Sequence, residues 1–358
     1  MKRIGFLSFG HWQPVPGSQT RTAADALRQT IELAEVAEEI GLDGAYVRVH
    51  HFARQLASPF PLLSAIGART RRIEIGTAVI DMRYENPLYM AEDAAAADLI
   101  SGERLQLGIS RGSPEPALRG SESFGYIPPE GESDADVARS HTELFRAAIR
   151  GAGVVAADPQ MTGTSAPLAI QPQSPGLADR IWWGSGTRQT AVWTAQQGMN
   201  LMSSTLLSED TGMPFDELQA EQIAMFRAAW AEAAWAREPR VSVSRSVLPI
   251  VTDLDRAYFG GRDAGGRGAG GSEDQLGYLE GVIARFGRTY AGEPDVIAEE
   301  LSRDAAVREA DTLLLTVPNQ LGVDYNARML ETIARDIAPA IGWRPNAGAG
   351  DAGEQRAA

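Results

Sequence analysis

The chain has 358 residues, of which 44% are hydrophobic, so it can bury a large core and we expect a single elaborated domain. Its formal net charge of -14 disfavours nucleic acid and anionic membrane surfaces as partners. The sequence contains no cysteine, which excludes disulfides, thiolate metal sites and a cysteine nucleophile. It also lacks a signal-peptide core and any apolar run of about 20 residues, so it predicts a soluble, cytoplasmic protein.

Predicted strands and helices alternate along the chain. The strands begin near Arg3, Gly44, Ile73, Arg104, Arg180, Met199, Arg240 and Thr312. The helices begin near Thr22, Pro59, Pro87, Asp134, Arg188, Phe215, Asp295 and Tyr325. Eight such units favour an α/β fold with one closed (β/α)8 TIM barrel, and a doubly wound open sheet is the structural alternative. We predict this domain over residues 1–344 and a disordered, Gly- and Ala-rich tail over residues 345–358.

Two long connections follow strands and should lie on the catalytic face of the barrel. They run from Ser110 to Ser133 after the fourth strand and from Thr252 to Pro294 after the seventh. The second contains seven glycines between Gly260 and Gly271. This composition predicts a mobile segment, and a lid that gates substrate access is the more specific hypothesis.

The segment WWGSGTRQTAVWT, from Trp182 to Thr194, leads from a strand through a small-residue turn into a helix. Backbone N–H groups at such a helix start bind anions, and Gly186 allows close backbone approach. The hydroxyls of Ser185, Thr187 and Thr190 add donors for a phosphate. A plain capped helix is the alternative. The segment has neither the third glycine of a dinucleotide fingerprint nor the Gly-Lys-Ser/Thr of a P-loop, so no familiar nicotinamide site is predicted.

Arg111 follows the fourth strand in LQLGISRGSPEP, where a planar guanidinium could bind phosphate with two hydrogen bonds. Only one of the 33 basic residues is a lysine, so an arginine at this position could equally be a solvated surface group.

His50 and His51 end the second predicted strand and are two of the four histidines in the chain. A histidine at this rim can act as a general base, and a hydrogen-bonded core histidine is the alternative. No metal-ligand spacing accompanies the pair, so no metal site is predicted. Asp81 and Glu115 lie near strand ends, but nothing in the sequence pairs them as glycosidase carboxylates.

Three motifs in matching order resemble the bacterial luciferase-like, flavin-dependent monooxygenase family. They are VHHF, RIEIGTAVIDMRYENPLYMAED and LISGERLQLGISRG. The resemblance implies a TIM barrel, often a homodimer, that binds FMN with its phosphate after the fifth strand. It extends over most of the chain and is weakest in the two long loops and the tail.

The resemblance also assigns residues. It implies that Arg111 and the cradle of Gly186, Thr187 and Thr190 hold the phosphate, with a further contact from Ser204. It implies that Ser110 faces the flavin ring and that Ala78 and Val79 form a bulged, cis non-proline peptide beneath that ring. His50 corresponds to the catalytic histidine of luciferases, and His51 stands beside it. Val49 departs from the pattern, because luciferases have a glutamate there.

By this resemblance, reduced FMN and dioxygen would oxidise a small organic substrate. A separate flavin reductase would supply the reduced cofactor. Two alternatives stay open: hydride transfer with a deazaflavin coenzyme, and a catalytically silent flavin-binding protein.

Overall fold

The structure is a computed structural model that describes residues 2–112, 117–209, 211–260, 275–279 and 282–346. The predicted glycine-rich lid lies outside the described residues except for Gly260. The predicted disordered tail lies outside them from residue 347 onward.

Eight parallel strands form a closed barrel, which confirms the predicted TIM-barrel fold. They are β1 (Arg3–Ser8), β2 (Gly44–Val47), β3 (Glu74–Asp81), β4 (Leu105–Ser110), β5 (Ile181–Ser185), β6 (Asn200–Ser203), β7 (Val241–Pro249) and β8 (Thr312–Thr316). Each strand pairs with its neighbours in chain order. Pairing of β6 with β7 and of β8 with β1 closes the ring.

Eight helices follow the strands and cover the outside of the barrel. They are α1 (Ala23–Ile40), α2 (Pro59–Arg69), α3 (Pro87–Ile100), α4 (Asp134–Ile149), α5 (Arg188–Gln196), α6 (Phe215–Ala233), α7 (Pro294–Arg303) and α8 (Val323–Thr332). Local sequence sets their ends: Thr22 and Asp25 form a capping box at α1, and Gly41 ends that helix at φ 94°. No helix in the described part of the chain is long and apolar enough to cross a membrane.

The long connection after β7 contains secondary structure that the sequence did not predict. It includes a helix at Asp253–Phe259 and a strand at Thr289–Gly292 that runs parallel to the end of β7. Strands Gln275–Leu279 and Val282–Phe286 pair antiparallel with each other. The second of these also pairs with Leu206–Leu207 after β6. The loops after β6 and β7 are therefore joined above the barrel.

The barrel interior is divided into a polar lower end and an apolar middle layer. At the lower end, Glu74 accepts hydrogen bonds from Arg240 at 2.9 and 3.0 Å and also contacts Arg3. Above it lies a buried apolar cluster of Leu7, Tyr46, Trp182, Met202 and Leu314. This cluster forms the base on which the upper, C-terminal end of the barrel is built.

Candidate active site

A cavity of about 790 Å³ opens above the apolar cluster, at the C-terminal ends of the strands. This is the position at which TIM-barrel enzymes place their active sites. Ten of the residues predicted from the sequence line it: His50, His51, Ala78, Val79, Ser110, Arg111, Gly186, Thr187, Thr190 and Ser204. The fold thus brings together side chains that come from the ends of β2 to β6.

The turn from β5 into α5 lines part of the cavity. Two glycines keep the space above this turn open. A Cβ on Gly184 would lie 3.2 Å from a methyl carbon of Val79, and one on Gly186 would lie 3.2 Å from the carbonyl oxygen of Leu206. Thr187 caps the helix by accepting from the Thr190 amide at 3.1 Å, and it donates to the Thr190 hydroxyl at 2.9 Å. Two hydroxyls therefore lie together at a helix start.

Ser185, which the sequence also assigned to the cofactor, is not among the residues that line the cavity. It is fully buried, and its hydroxyl donates to the carbonyl oxygen of Thr187 at 2.9 Å. Gln222 approaches the same hydroxyl from α6 at 3.4 Å. Successive side chains of a strand point to opposite sides, so Gly184 and Gly186 face the cavity while Ser185 faces the helices. Ser185 supports the turn from behind.

The helix start is also partly occupied by a carboxylate. Glu209 accepts from the backbone amide of Arg188 at 2.8 Å and from its side-chain Nε at 3.2 Å. The amide of Ser208 donates to the carbonyl of Gly186 at 3.2 Å. The loop after β6 is therefore fixed against the turn, and fewer free amides remain at the helix start than the sequence alone indicated.

Arg111 extends from the turn that follows β4. Its side chain is exposed, and it forms no salt bridge among the described residues. The turn is shaped by Gly112, whose φ of 101° favours glycine and whose amide donates to the Ser110 hydroxyl at 3.0 Å. Asp81 and Arg83 form a salt bridge of 2.6 Å directly against Gly112. This pair holds the turn that carries Arg111.

A cis peptide bond joins Ala78 and Val79, as the family resemblance implied. The register between β3 and β4 shifts between Thr77 and Ile80, so the strand bulges at this point. Both residues are half-buried and pack against the apolar cluster. They present a small apolar surface to the cavity.

His50 and His51 line the cavity beyond the end of β2. Burial, together with the nearby positive charge of Arg48, lowers the pKa of His50 to about 4. Burial also lowers the pKa of His51. The His51 ring stacks on Tyr84 with centroids 4.2 Å apart, and its Nε2 is buried without a hydrogen-bond partner. Both rings are therefore neutral near pH 7, where a neutral imidazole can accept a proton.

Sequence reasoning missed several residues that line the same cavity. They include Arg48, Arg83, Ser242, Ser244 and the predicted helix start at Asp134. Side chains two residues apart on a strand point to the same side, and this spacing could have identified some of them. Arg48 follows the inward-facing Tyr46 by two residues, and Ser242 and Ser244 are two residues apart on β7. Within the described ranges, no group of three or more His, Asp or Glu side chains could hold a metal ion.

Solved monooxygenase structures share this architecture. RslO1 from Streptomyces bottropensis aligns with 94% of the chain and 99% of its own, at a TM-score of 0.69 and 18% identity. The oxygenating constituent of 3,6-diketocamphane monooxygenase from Pseudomonas putida, solved with FMN, aligns with 97% of the chain and 100% of its own, at a TM-score of 0.65 and 16% identity. At such identities the likeness shows the fold.

Sequence relatives match over shorter stretches. The uncharacterized protein y4wF of Sinorhizobium fredii is 28% identical over 202 residues, which are 56% of either chain. The oxygenase component of a flavin-dependent trigonelline monooxygenase from Acinetobacter baylyi is 29% identical over 110 residues, 30% of either chain. The chain thus spans about half the length, or less, of the curated relatives it matches.

A protein-family model described as luciferase-like monooxygenase matches residues 1–258, well over half of the sequence. The matched region includes the lining residues of the cavity from Leu7 to Ser244, whereas Leu314 lies outside it. The chain therefore belongs to the luciferase-like monooxygenase family.

Proposed function

We propose that this protein is a flavin-dependent monooxygenase that uses reduced FMN and dioxygen to oxidise a small organic substrate. One observation carries the proposal. One cavity is lined by an arginine and two threonines after β4 and β5, by a small apolar surface on β3, and by two neutral histidines after β2. This sequence of surfaces is complementary to a phosphate, a planar ring and a reacting group, in that order.

The phosphate end fits a dianion. Arg111 provides a guanidinium, and Thr187, Thr190 and Ser204 provide hydroxyls from two adjacent loops. Because Gly186 has no side chain, its backbone is accessible to a ligand; a Cβ at this position would contact the carbonyl oxygen of Leu206. Charge-assisted hydrogen bonds are shorter and stronger than neutral ones, so Arg111 should supply the largest single share of phosphate affinity.

The ring site fits a flat aromatic group. Ala78 and Val79 offer small side chains across the bulge of β3, and Gly184 opposite Val79 has no side chain to fill the space. We assign this surface to the isoalloxazine ring. When bound, reduced FMN supplies the electrons that activate dioxygen, since cofactors rather than side chains carry such chemistry.

His50 has the role of proton acceptor and donor in this proposal. Its neutral ring lines the cavity, and its pKa of about 4 keeps Nδ1 or Nε2 available as a base at pH 7. Stacking on Tyr84 positions the His51 ring, which provides a second imidazole nitrogen beside His50.

The proposal includes a separate flavin reductase as a partner. The sequence has no dinucleotide fingerprint of the Rossmann type, and the trigonelline relative is itself named an oxygenase component. We extend the proposal to a homodimer, as the family resemblance implies, and to the cytoplasm, as the sequence predicts. Rapid oxidation of NADH by the purified protein alone would contradict the two-component part.

The test is an anaerobic titration of the protein with reduced FMN and, separately, with the reduced deazaflavin coenzyme. Each complex is then mixed with oxygenated buffer. We expect tight binding of reduced FMN, and a rate of flavin reoxidation that differs from that of free reduced FMN. Preferential binding of the deazaflavin would replace the proposal with hydride transfer. Reoxidation identical to that of free FMN, in protein shown to bind it, would indicate a silent binder.

A further inference from the structure

The wall of the cavity that belongs to β7 carries two serines. Ser242 and Ser244 both line the cavity, and because they are two residues apart their side chains point to the same side of the strand. In the ring, β7 lies opposite β3, with three strands between them in either direction. The two serines therefore lie across the cavity from the cis peptide to which we assign the flavin ring.

Ser242 differs from the other buried serines that line the cavity. Ser110 accepts a hydrogen bond from the amide of Gly112 at 3.0 Å, and Ser203 accepts one from Gln219 at 2.9 Å. Ser242 is only 2% exposed, and its hydroxyl forms no hydrogen bond with any described residue. Most buried hydroxyls in proteins have a partner, and a molecule bound in the cavity can supply one here.

The neighbours of these serines are apolar. In the barrel sheet, Ser242 pairs with Met202 of β6, and Ser244 pairs with Leu314 of β8. Met202 and Leu314 belong to the apolar cluster against which both residues of the cis peptide pack. The hydroxyl of Ser242 is therefore a polar group bordered by an apolar surface that continues to the proposed ring site.

The charges of the cavity are on its other wall. The charged residues among the described lining residues lie at the ends of β2, β3 and β4 or at the start of α4; they are Arg48, Asp81, Arg83, Arg111 and Asp134. In the described part of the chain, β1, β6, β7, β8 and the loop after β6 contribute only uncharged lining residues. A ligand group at Ser242 thus contacts hydroxyls and hydrocarbon without a counter-ion, which favours an uncharged group.

A hydroxyl in this position discriminates between ligands. Solvent in the open cavity can pair with it in the unliganded protein. A ligand that fills the cavity displaces this solvent, so it binds well only if it brings a hydrogen-bonding atom to Ser242. Sites built in this way reject analogues that lack the polar atom, because the protein group is then left unpaired.

We propose that Ser242 binds a carbonyl or hydroxyl oxygen of an uncharged organic substrate and holds that substrate between β7 and the proposed flavin ring. Ser244 provides a second hydroxyl on the same wall, nearer the C-terminal end of the strand. This inference rests on the proposed function and names the class of substrate for that site. It makes Ser242 a substrate-binding residue and a determinant of specificity.

The test uses acetophenone and α-methylstyrene, uncharged probes of nearly the same shape in which a C=O group replaces a C=CH2 group. Calorimetry measures the affinity of each for FMN-loaded protein. S242A should weaken acetophenone binding about fivefold, as expected for one neutral hydrogen bond, and should change α-methylstyrene binding little. Comparing the effect of one variant on both probes removes the difference in their hydration. The matched control is Ser246→Ala, on the same strand but outside the cavity lining, which should affect neither probe.

Benzoate tests the expected absence of charge on the substrate. It has the same ring as acetophenone but carries a charge that the β7 wall does not neutralise. It should therefore bind more weakly than acetophenone. Tighter binding of benzoate that is lost in S242A would assign an anionic substrate to this wall and overturn the inference.

Denaturation in urea shows whether the hydroxyl has a structural role instead. Because Ser242 bonds no described residue, S242A should leave the midpoint of unfolding unchanged. Ser203→Ala removes the partner of Gln219 and should lower the midpoint. A fall for S242A as large as that for Ser203→Ala would assign the hydroxyl to the fold and overturn the inference.

An infrared readout uses the wild-type protein, so it does not depend on a variant that folds. A hydrogen bond to a carbonyl oxygen weakens the C=O bond, so bound acetophenone should have a lower stretching frequency than acetophenone in hexane. A frequency equal to that in hexane, an equal loss of affinity for both probes in S242A, or no binding of acetophenone would each overturn the inference.

Two outcomes separate this inference from the proposed function. If S242A weakens FMN binding and leaves acetophenone affinity unchanged, Ser242 serves the cofactor, and the inference is wrong while the flavin assignment holds. If wild-type protein binds no flavin at all, the proposed function fails, and the inference fails with it.

Discussion

The two ends of the barrel use the same residue types in opposite ways. At the lower end, Glu74 pairs with Arg240 and Arg3 and accepts from the Tyr46 hydroxyl at 3.3 Å. At the upper end, Arg111 lines the cavity and forms no salt bridge with a described residue. Arg83 at the upper end is also paired, with Asp81, so the contrast is with Arg111, which we assign to a ligand.

This difference teaches which groups are structural and which are functional. A polar group satisfied within the barrel contributes to stability, and one that faces an open cavity contributes to binding. Strand β5 extends from one environment to the other. Trp182 near its start donates to Gln106 at 2.9 Å, whereas Gly184 near its end lines the cavity. Substitutions at the two ends should therefore separate stability from cofactor affinity.

The largest effect is expected at the lower end. Glu74→Ala leaves Arg240 without its carboxylate in a mostly buried position, which should lower the free energy of unfolding by about 2–3 kcal/mol. Urea denaturation measures this loss, and FMN affinity of the folded protein should be unchanged. Glu35→Ala is the matched control, because it breaks a surface pair with Arg69 and should cost less than about 1 kcal/mol. A loss no greater than that of the control would contradict the comparison.

The next largest effect is expected at the upper end. Arg111→Gln removes the guanidinium from the phosphate site and should raise the Kd of FMN about 10- to 100-fold. Fluorescence titration with FMN and with riboflavin measures it, and the Kd of riboflavin should change little because riboflavin has no phosphate. Arg335→Gln, at an exposed pair with Asp336, is the control. An equal loss for both ligands would place Arg111 away from the phosphate.

Thr187 both caps a helix and lines the cavity, so its replacement should affect stability and FMN binding together. Thr187→Ala removes the cap of α5 and should cost about 1 kcal/mol of stability. It should also weaken FMN binding several-fold, because the hydroxyl lines the phosphate end. Thr22→Ala removes the equivalent cap of α1 away from the cavity and should cost similar stability with no effect on FMN. If both variants leave the Kd of FMN unchanged, Thr187 is only a cap.

The smallest effect concerns pH. The pKa of His50 is lowered to about 4 in the folded protein, from about 6.5 in an unfolded chain. Between these values the unfolded chain binds the proton and the folded protein does not, so this contribution to stability is lost as the pH falls from 6.5 towards 4. Because the ring is half exposed, solvent screening reduces the effect to about 1 kcal/mol.

Urea denaturation at pH 7 and pH 5 checks this expectation. Wild type should lose more stability than His50→Gln over that range. His51 and His11, whose pKa values are also lowered, remain in both proteins and so cancel in the comparison. Identical losses would show that His50 titrates normally in the folded state.

The sequence predicted the barrel well because the alternation of strand and helix patterns is repeated eight times along the chain. Each of the eight strands and eight main helices begins within a few residues of the predicted position. The strand Thr289–Gly292 and the helix Asp253–Phe259 were missed, since short elements inside a long loop depend on tertiary partners such as β7. The roles of the glycine-rich segment and of the tail stay predictions, because those residues lie outside the described ranges.

The cavity was predicted less completely than the fold. Motif positions found Arg111, Thr187 and the histidines, and the cis peptide at Ala78 and Val79 is as the family resemblance implied. The motif also suggested Ser185, but the alternation of side chains along β5 directs this residue away from the cavity, where its hydroxyl bonds Thr187. Arg48 was missed because one arginine among many carries little signal until the barrel shows which face it occupies.

The most direct test of the central claim is a crystal structure of the protein with FMN bound. We predict the phosphate within hydrogen-bond distance of Arg111 and Thr187, and the isoalloxazine ring over the Ala78–Val79 peptide with His50 at its far side. A phosphate bound elsewhere, or a flavin outside this cavity, would contradict the account.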